Sequence, residues 1–120
     1  MRIAISSQGE DLQAQVDPRF GRAATFLIVE TETMSFEVFK NTQNLELPQG
    51  AGIQAAQNVI QHKPDVVLTG NCGPKAFQVL RAGGVPVVVG VSGRVVDAVE
   101  AYREGKYQPA DDANVEGHWV

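Results

Sequence analysis

The chain has one cysteine, Cys72, among its 120 residues. An internal disulfide is therefore impossible, and a zinc or iron–sulfur site held only by protein ligands lacks the cysteine and histidine pairs that it needs. A reducing, cytoplasmic setting is the expectation. The longest apolar run, around residues 85–91, is far shorter than the roughly 20 residues of a membrane span, and no signal peptide is visible at the start. We expect no membrane partner.

Positive charge is also scarce. Lys and Arg total 10 against 14 Asp and Glu, which gives a formal net charge of −4. The chain therefore lacks the basic surface of a general nucleic-acid-binding protein. Apolar residues make up 43% and charged residues 20%, the composition of a folded protein. We expect one domain over residues 1–120, with a polar tail from about residue 107.

The hydrophobic pattern predicts strands and helices in the order βββαβαβα. Pro64 is expected to end the first helix and Ser92 to cap the third. This order predicts an α/β fold with three α/β/α layers, in which helices cover both faces of a mixed five-stranded sheet. The expected strands are residues 2–6, 25–29, 35–39, 66–69 and 86–89, with a hairpin turn at 31–34, and the helices begin near residues 50, 73 and 92.

Chemically unusual residues gather where the expected strands end. If the fourth strand runs parallel to the first, one sheet edge collects the loop at 6–24 and the starts of all three helices, and open α/β sheets bind ligands at such an edge. Helix N-termini carry unpaired N–H groups that favour anions, and glycines there let the backbone approach a ligand. The sequence therefore predicts a pocket for a compact anion. The cations expected there are Arg19, Arg22, Lys75 and Arg94.

The segment DPRFGRA at residues 17–23 has two interpretations of about equal weight. Phe20 can anchor a loop that presents two arginines to a ligand. Alternatively, Asp17 pins the loop through an ion pair with Arg19 or Arg22, and the segment is only structural.

The segment GNCGPKAF at residues 70–77 is equally open. Its thiol lies among the amides of a helix N-terminus, which predicts a lowered pKa for Cys72. The structural alternative is a glycine turn with a small, half-buried cysteine. The glycine spacing matches neither of the common nucleotide-binding loops, so glycine alone does not indicate a nucleotide site.

Groups for catalysis are few at this edge. His62 is expected near the C-terminal end of the first helix, and His118 lies in the tail, where packing is a more frequent role than metal ligation. A Ser–His–Asp triad therefore has no histidine here. The first strand also lacks the acidic residue of a two-metal nuclease. Hydrolytic catalysis therefore has no support in the sequence. The tail acids, Asp111, Asp112 and Glu116, are expected to be solvated.

Four segments together resemble the dinitrogenase iron–molybdenum cofactor-binding family. They are MRIAI at residues 1–5, VDPRFGRA at 16–23, GAG at 50–52 and TGNCGPKAF at 69–77, and the resemblance covers about residues 1–105. It implies an α/β/α fold with a ribonuclease-H-like motif and a non-enzymatic role in carrying or processing anionic metal–sulfide clusters. One branch of that family, the orange proteins of anaerobes, carries a mixed molybdenum–copper sulfide cluster, and the length and acidic balance of this chain are similar to that branch.

The resemblance also implies the residues of the site. A cluster brings its own sulfide ligands, so the protein supplies cations, backbone amides and a dry wall. Cys72 is the one candidate metal ligand, as a thiolate on copper or molybdenum, or it only fills space. The residues that the resemblance and the predicted anion pocket place around the cofactor are Arg19, Gly21, Arg22, Gly50, Gly52, Asn71, Cys72, Gly73 and Lys75.

Two other functions stay open. Strand–glycine–helix turns also cradle phosphate, so the chain can be a nucleotide- or flavin-phosphate-binding module. Against that reading, the acidic ribose partner expected after the first strand–helix turn is missing. The other is an interaction module whose acidic tail docks a protein, and the resemblance implies a P-loop ATPase as that partner.

Overall fold

The computed structural model describes residues 1–41 and 50–114. Strands and helices follow one another in the order βββαβαβα, as predicted. The strands are β1 (Arg2–Ser7), β2 (Thr25–Glu30), β3 (Ser35–Lys40), β4 (Val66–Leu68) and β5 (Val87–Val88). The helices are α1 (Ala51–Gln61), α2 (Pro74–Ala82) and α3 (Val95–Arg103).

The five strands form one mixed sheet in the order β3-β2-β1-β4-β5. β1 and β3 are antiparallel to β2, while β4 is parallel to both β1 and β5. In register, Ser7 lies opposite Thr25 and Thr25 opposite Lys40. The carboxyl ends of β1, β3, β4 and β5 therefore share one edge, which we call the carboxyl rim.

Helices cover both faces of the sheet, which confirms the predicted three layers. Because side chains alternate along a strand, β1, β2, β4 and β5 each contribute to two separate apolar clusters, while the edge strand β3 contributes only Phe39 to one of them. On one face, Phe26 and Ile28 of β2 pack with residues of α1 and α2. On the other face, Leu27 and Val29 pack with residues of α3.

The helices are short, at nine to eleven residues. In residues 1–41 and 50–114, no helix combines the length and the apolar composition needed to cross a membrane. α2 begins at Pro74 and ends before Gly83, as the sequence predicts. α1 ends at Gln61, earlier than the predicted stop at Pro64, because Lys63 adopts a left-handed backbone conformation with φ of 54°.

The prediction that Ser92 caps α3 is wrong. The N-cap position is held by Arg94, and no side chain there makes a capping hydrogen bond. β5 ends at Val88, and the left-handed glycines Gly90 and Gly93 carry the chain beyond Ser92 before the helix starts. The first backbone amides of α3 donate hydrogen bonds to carbonyls of the loop between β1 and β2.

Candidate functional site

The loop between β1 and β2 is anchored at the carboxyl rim by Phe20. This side chain is fully buried in the apolar cluster beneath α1 and α2. Its ring centroid lies 5.1 Å from that of Phe26 in β2. The prediction that Phe20 fastens an arginine-bearing loop to the core is therefore confirmed.

The Asp17 carboxylate fixes the backbone of the same loop. It is buried, and its two oxygens accept hydrogen bonds from the amides of Arg19, at 3.0 Å, and Ala24, at 3.2 Å. Within residues 1–41 and 50–114 it forms no ion pair with Arg19 or Arg22. The ion-pair interpretation is wrong, because backbone amides take both carboxylate oxygens.

Asn41, directly after β3, holds the far end of the loop. Its side-chain amide donates to the carbonyls of Gly21, at 3.0 Å, and Ala23, at 2.9 Å. Its backbone amide donates to the Ala24 carbonyl at 3.1 Å. Sequence reasoning gave the Asn41 side chain no role, although a buried asparagine beside a strand end is a common partner for loop carbonyls.

The two predicted motifs meet through Asn71. The backbone amide of Phe20 donates to the Asn71 carbonyl at 3.0 Å, and the Asn71 side-chain amide donates to the Pro18 carbonyl at 2.8 Å. Gly70 permits this approach, because a Cβ there would lie 2.7 Å from the Pro18 Cα. The loop and the turn between β4 and α2 thus form one continuous surface at the rim.

Two helices point their N-termini at this surface. α1 and α2 lie side by side and run in the same direction, with Ile60 of α1 lying against Gly83 at the end of α2. Gly50 and Gly73 occupy their N-cap positions, and within residues 1–41 and 50–114 no side chain caps either helix start. Gly52 is buried in the first turn of α1. Uncapped N-termini leave N–H donors and a partial positive charge for an anion.

Two cations stand beside these helix starts. Arg19 lies on the loop and Lys75 in the first turn of α2, and both side chains are exposed. Among the described residues, neither forms an ion pair. Arg22, on the same loop, is half-buried. The rim therefore presents positive charge in a chain whose net charge is negative.

The third helix does not contribute as predicted. Carbonyls of the loop before β2 cover the start of α3, with the Val95 amide bonded to Ala14 at 2.8 Å and the Val96 amide to Leu12 at 2.9 Å. Arg94 is also engaged, because its guanidinium bonds Asp97 at 3.0 Å and Gln13 at 2.8 Å. The expectation of three open helix starts is wrong, and two remain.

The Cys72 thiol lies inside the protein. It is fully buried in the cluster beneath α1 and α2, with its sulfur 3.7 Å from the Gly73 carbonyl. Burial raises the pKa of Cys72 from 9.0 to about 12. The prediction of a lowered thiol pKa is wrong, because desolvation outweighs the field of the nearby helix N-terminus. Metal ligation by Cys72 stays a prediction, one that requires the thiol to become exposed and to lose its proton.

Other candidate ligands do not converge. In residues 1–41 and 50–114, no group of three or more His, Cys, Asp or Glu side chains is placed to hold a metal ion. His62 follows α1, and its ring packs 5.0 Å from that of Phe39. Asp111 and Asp112 are exposed, as predicted. The remaining tail candidates, Glu116, His118 and Trp119, lie outside the described residues.

Comparison with known proteins identifies the family. A family model described as dinitrogenase iron-molybdenum cofactor matches residues 1–105. The chain belongs to this family. The match confirms the predicted resemblance, and it spans both motifs of the carboxyl rim and the starts of all three helices.

Solved structures of similar proteins share the fold. The apo form of the orange protein from Desulfovibrio gigas is 43% identical, with 95% of this chain and 96% of that chain covered and a TM-score of 0.92. A putative NifB protein from Thermotoga is 34% identical over 97% of this chain and 98% of that chain, with a TM-score of 0.81. A relative found by sequence alone, an uncharacterized protein of Methanocaldococcus jannaschii, is 27% identical over 111 residues, which is 90% of each chain.

Asn114 is a second residue that sequence reasoning missed. It lies beyond the part of the chain that the family model matches. Its side chain accepts a hydrogen bond from the Cys72 amide at 2.8 Å and donates to the Asn71 side chain at 3.0 Å. No pattern in the polar tail indicates this contact, because its partners lie more than 40 residues earlier.

Proposed function

We propose that this chain binds an anionic, molybdenum-containing metal–sulfide cluster at the carboxyl rim and carries it without catalysing a reaction. The most direct support is that Arg19 and Lys75 share the rim with the starts of α1 and α2. In the part of the chain that the structure describes, neither cation forms an ion pair and no side chain caps either helix start. Membership of the dinitrogenase iron-molybdenum cofactor family supports the chemical class of the cargo.

The donor set of the rim fits a cluster better than a bare metal ion. A metal–sulfide cluster supplies its own inner ligands, so it asks the protein for positive charge and N–H donors. Arg19, Lys75 and the first amides of α1 and α2 offer both. A bare ion needs several carboxylate, imidazole or thiolate ligands, and the described residues do not gather such a set.

The finer proposal is a mixed molybdenum–copper sulfide cluster. The likeness to the orange protein, at 43% identity over nearly the whole chain, supports this branch of the family. Copper is a soft metal that prefers sulfur ligands, and sulfide of the cluster can satisfy it while the Cys72 thiol stays buried. The residues proposed to surround the cluster are Arg19, Gly21, Arg22, Gly50, Gly52, Asn71, Gly73 and Lys75, with Cys72 behind them.

Reconstitution under anaerobic conditions tests the proposal. Protein is mixed with tetrathiomolybdate, with and without copper(I), desalted, and examined by visible spectroscopy and metal analysis. We expect stoichiometric molybdenum with sulfide-to-metal charge-transfer bands, and tighter retention of both metals when copper is present. A desalted protein that is colourless contradicts cluster binding. If that colourless protein binds ATP or flavin mononucleotide instead, the phosphate-binding alternative is favoured.

A P-loop ATPase partner stays a prediction. Gel filtration of this protein with and without such an ATPase checks whether the two form a complex.

A further inference from the structure

The segment at residues 109–114 crosses from β5 towards the carboxyl rim, and we call it the strap. The Ala110 amide donates to the Val87 carbonyl at 2.7 Å. The Arg81 guanidinium of α2 bonds the Asp111 carbonyl at 2.6 Å. Ala110 and Ala113 pack against the apolar cluster that contains Cys72. The polar tail expected from the sequence is therefore attached to the fold over these residues.

Asn114 fastens the end of the strap to the turn between β4 and α2. The Cys72 amide donates to the Asn114 side-chain oxygen at 2.8 Å, and the Asn114 backbone amide donates to the Cys72 carbonyl at 3.2 Å. The Asn114 side-chain nitrogen reaches the Asn71 side-chain oxygen at 3.0 Å and the Gly70 carbonyl at 3.4 Å. One residue thus contacts three consecutive positions of the turn.

These contacts continue to the arginine-bearing loop. The Asn71 side chain receives the Asn114 hydrogen bond on its oxygen and donates from its nitrogen to the Pro18 carbonyl at 2.8 Å. Pro18 directly precedes Arg19, and the turn directly precedes the α2 helix that carries Lys75. Asn114 and Asn71 therefore form a two-residue connection between the strap and both cation-bearing elements.

We propose that Asn114 is a positioning residue for the anion site, and that release of the strap is a built-in route to release of the cargo. While Asn114 is hydrogen-bonded to the turn, the spacing between the Arg19 loop and the start of α2 is fixed and the Cys72 thiol is shielded from solvent. When the strap detaches, the Asn71 side chain loses one of its two fixed partners, the site loosens and Cys72 becomes accessible. This regulation rests on the proposed function, but closure over Cys72 does not.

The test compares Asn114→Ala with Asn58→Ala. Asn58 lies on α1, where its oxygen accepts a hydrogen bond from Gln54 at 3.2 Å, so the control removes the same amide group from a residue that has no hydrogen bond to the strap or the turn in the described residues. Two readouts are taken on the native full chain. One is the rate of Cys72 alkylation by iodoacetamide, and the other is the dissociation constant for tetrathiomolybdate. Circular dichroism verifies that both variants are folded.

We expect Asn114→Ala to raise the alkylation rate and the dissociation constant by about threefold to tenfold each, since the side-chain hydrogen bonds to Cys72, Asn71 and Gly70 are lost. Asn58→Ala should change neither.

An unchanged alkylation rate in Asn114→Ala overturns closure by the strap. A raised alkylation rate with unchanged tetrathiomolybdate affinity overturns the positioning role and leaves Asn114 as a structural contact. If the wild-type chain itself fails to bind tetrathiomolybdate, the proposed function fails, and the alkylation rates still decide whether the strap closes over Cys72.

Discussion

The buried carboxylate of Asp17 bonds the backbone amide of Arg19 at 3.0 Å, and it does not pair with the Arg19 side chain. The second carboxylate oxygen accepts the Ala24 amide at 3.2 Å, so one side chain ties together two distant points of the loop. The Arg19 guanidinium keeps its charge at the surface as a result. An acidic residue close in sequence to an arginine here supports the loop and leaves the cation available for a ligand.

Replacing Asp17 should therefore loosen the loop. Asp17→Ala removes the acceptor of two amides, and we expect it to lower the free energy of unfolding by about 3 kcal/mol. Asp11→Ala is the matched control, because Asp11 accepts the Gln13 amide at 2.9 Å in an exposed part of the same loop. Its cost should stay within about 0.5 kcal/mol. Urea denaturation measures both, and equal costs would show that Asp17 does not organise the loop.

The two exposed cations should dominate anion affinity. Arg19→Ala combined with Lys75→Ala should weaken tetrathiomolybdate binding by at least about tenfold, because charge-assisted hydrogen bonds to the anion are lost. Arg103→Ala combined with Lys106→Ala removes the same charge at the opposite end of α3 and should leave binding within about twofold. Isothermal titration at fixed ionic strength gives both constants. Similar losses in the two double variants would mean that net charge, and not the rim, sets affinity.

The fold could be predicted from the sequence because its signals are local. Short apolar runs mark β1 and β2, alternation marks β3, and the short spacing between β2 and β3 indicates the hairpin at Thr31 to Met34. Pro74 is the first residue of α2 and Gly83 is its C-cap, the positions that these two residue types favour. Strand directions then place Arg19, Asn71 and Lys75 on the same edge, so the location of the candidate site followed from topology.

The rest of the site depends on contacts between distant residues. Nothing near Asn114 in the sequence indicates that it binds the turn at Cys72, 42 positions earlier. The start of α3 looks like an open anion site until the carbonyls of Leu12 and Ala14 are found over it. The direction of the pKa shift of Cys72 could not be predicted from the sequence either. The field of the helix N-terminus lowers the pKa of a thiol and burial raises it. Only the structure shows that the thiol is fully buried, so that burial decides the direction.

The raised pKa of Cys72 predicts a pH dependence of stability. The pKa of the Cys72 thiol is 9.0 in the unfolded chain and about 12 in the folded one. Between these two pH values the native state therefore holds a proton that the unfolded state has lost. The contribution of Cys72 to the free energy of unfolding is fully present below the unfolded pKa. It is lost as the pH rises towards the folded pKa, by up to about 1.4 kcal/mol per pH unit. Subtracting the pH profile of Cys72→Ala, measured by chemical denaturation, isolates this contribution from lysine and tyrosine titration. Parallel profiles for the two proteins would contradict a buried, protonated thiol.

Two glycines test how closely the loop and the turn approach each other. A Cβ at Gly70 would lie 2.7 Å from the Cα and 2.8 Å from the carbonyl oxygen of Pro18, so backbone must move to make room. A Cβ at Gly83 would also meet an atom at 2.7 Å, but that atom is the terminal methyl of the Ile60 side chain, which can rotate away.

We therefore expect Gly70→Ala to lower the free energy of unfolding by about 1–3 kcal/mol, the usual cost of overpacking against a fixed neighbour. Gly83→Ala should cost less than about 1 kcal/mol, because its backbone, with φ of −82°, suits alanine. The displaced Pro18 should also move Arg19, so Gly70→Ala alone should weaken tetrathiomolybdate binding. Denaturation and titration of the two variants side by side measure these effects. If Gly70→Ala binds the anion as tightly as Gly83→Ala, the contact between Pro18 and the turn is not what positions Arg19.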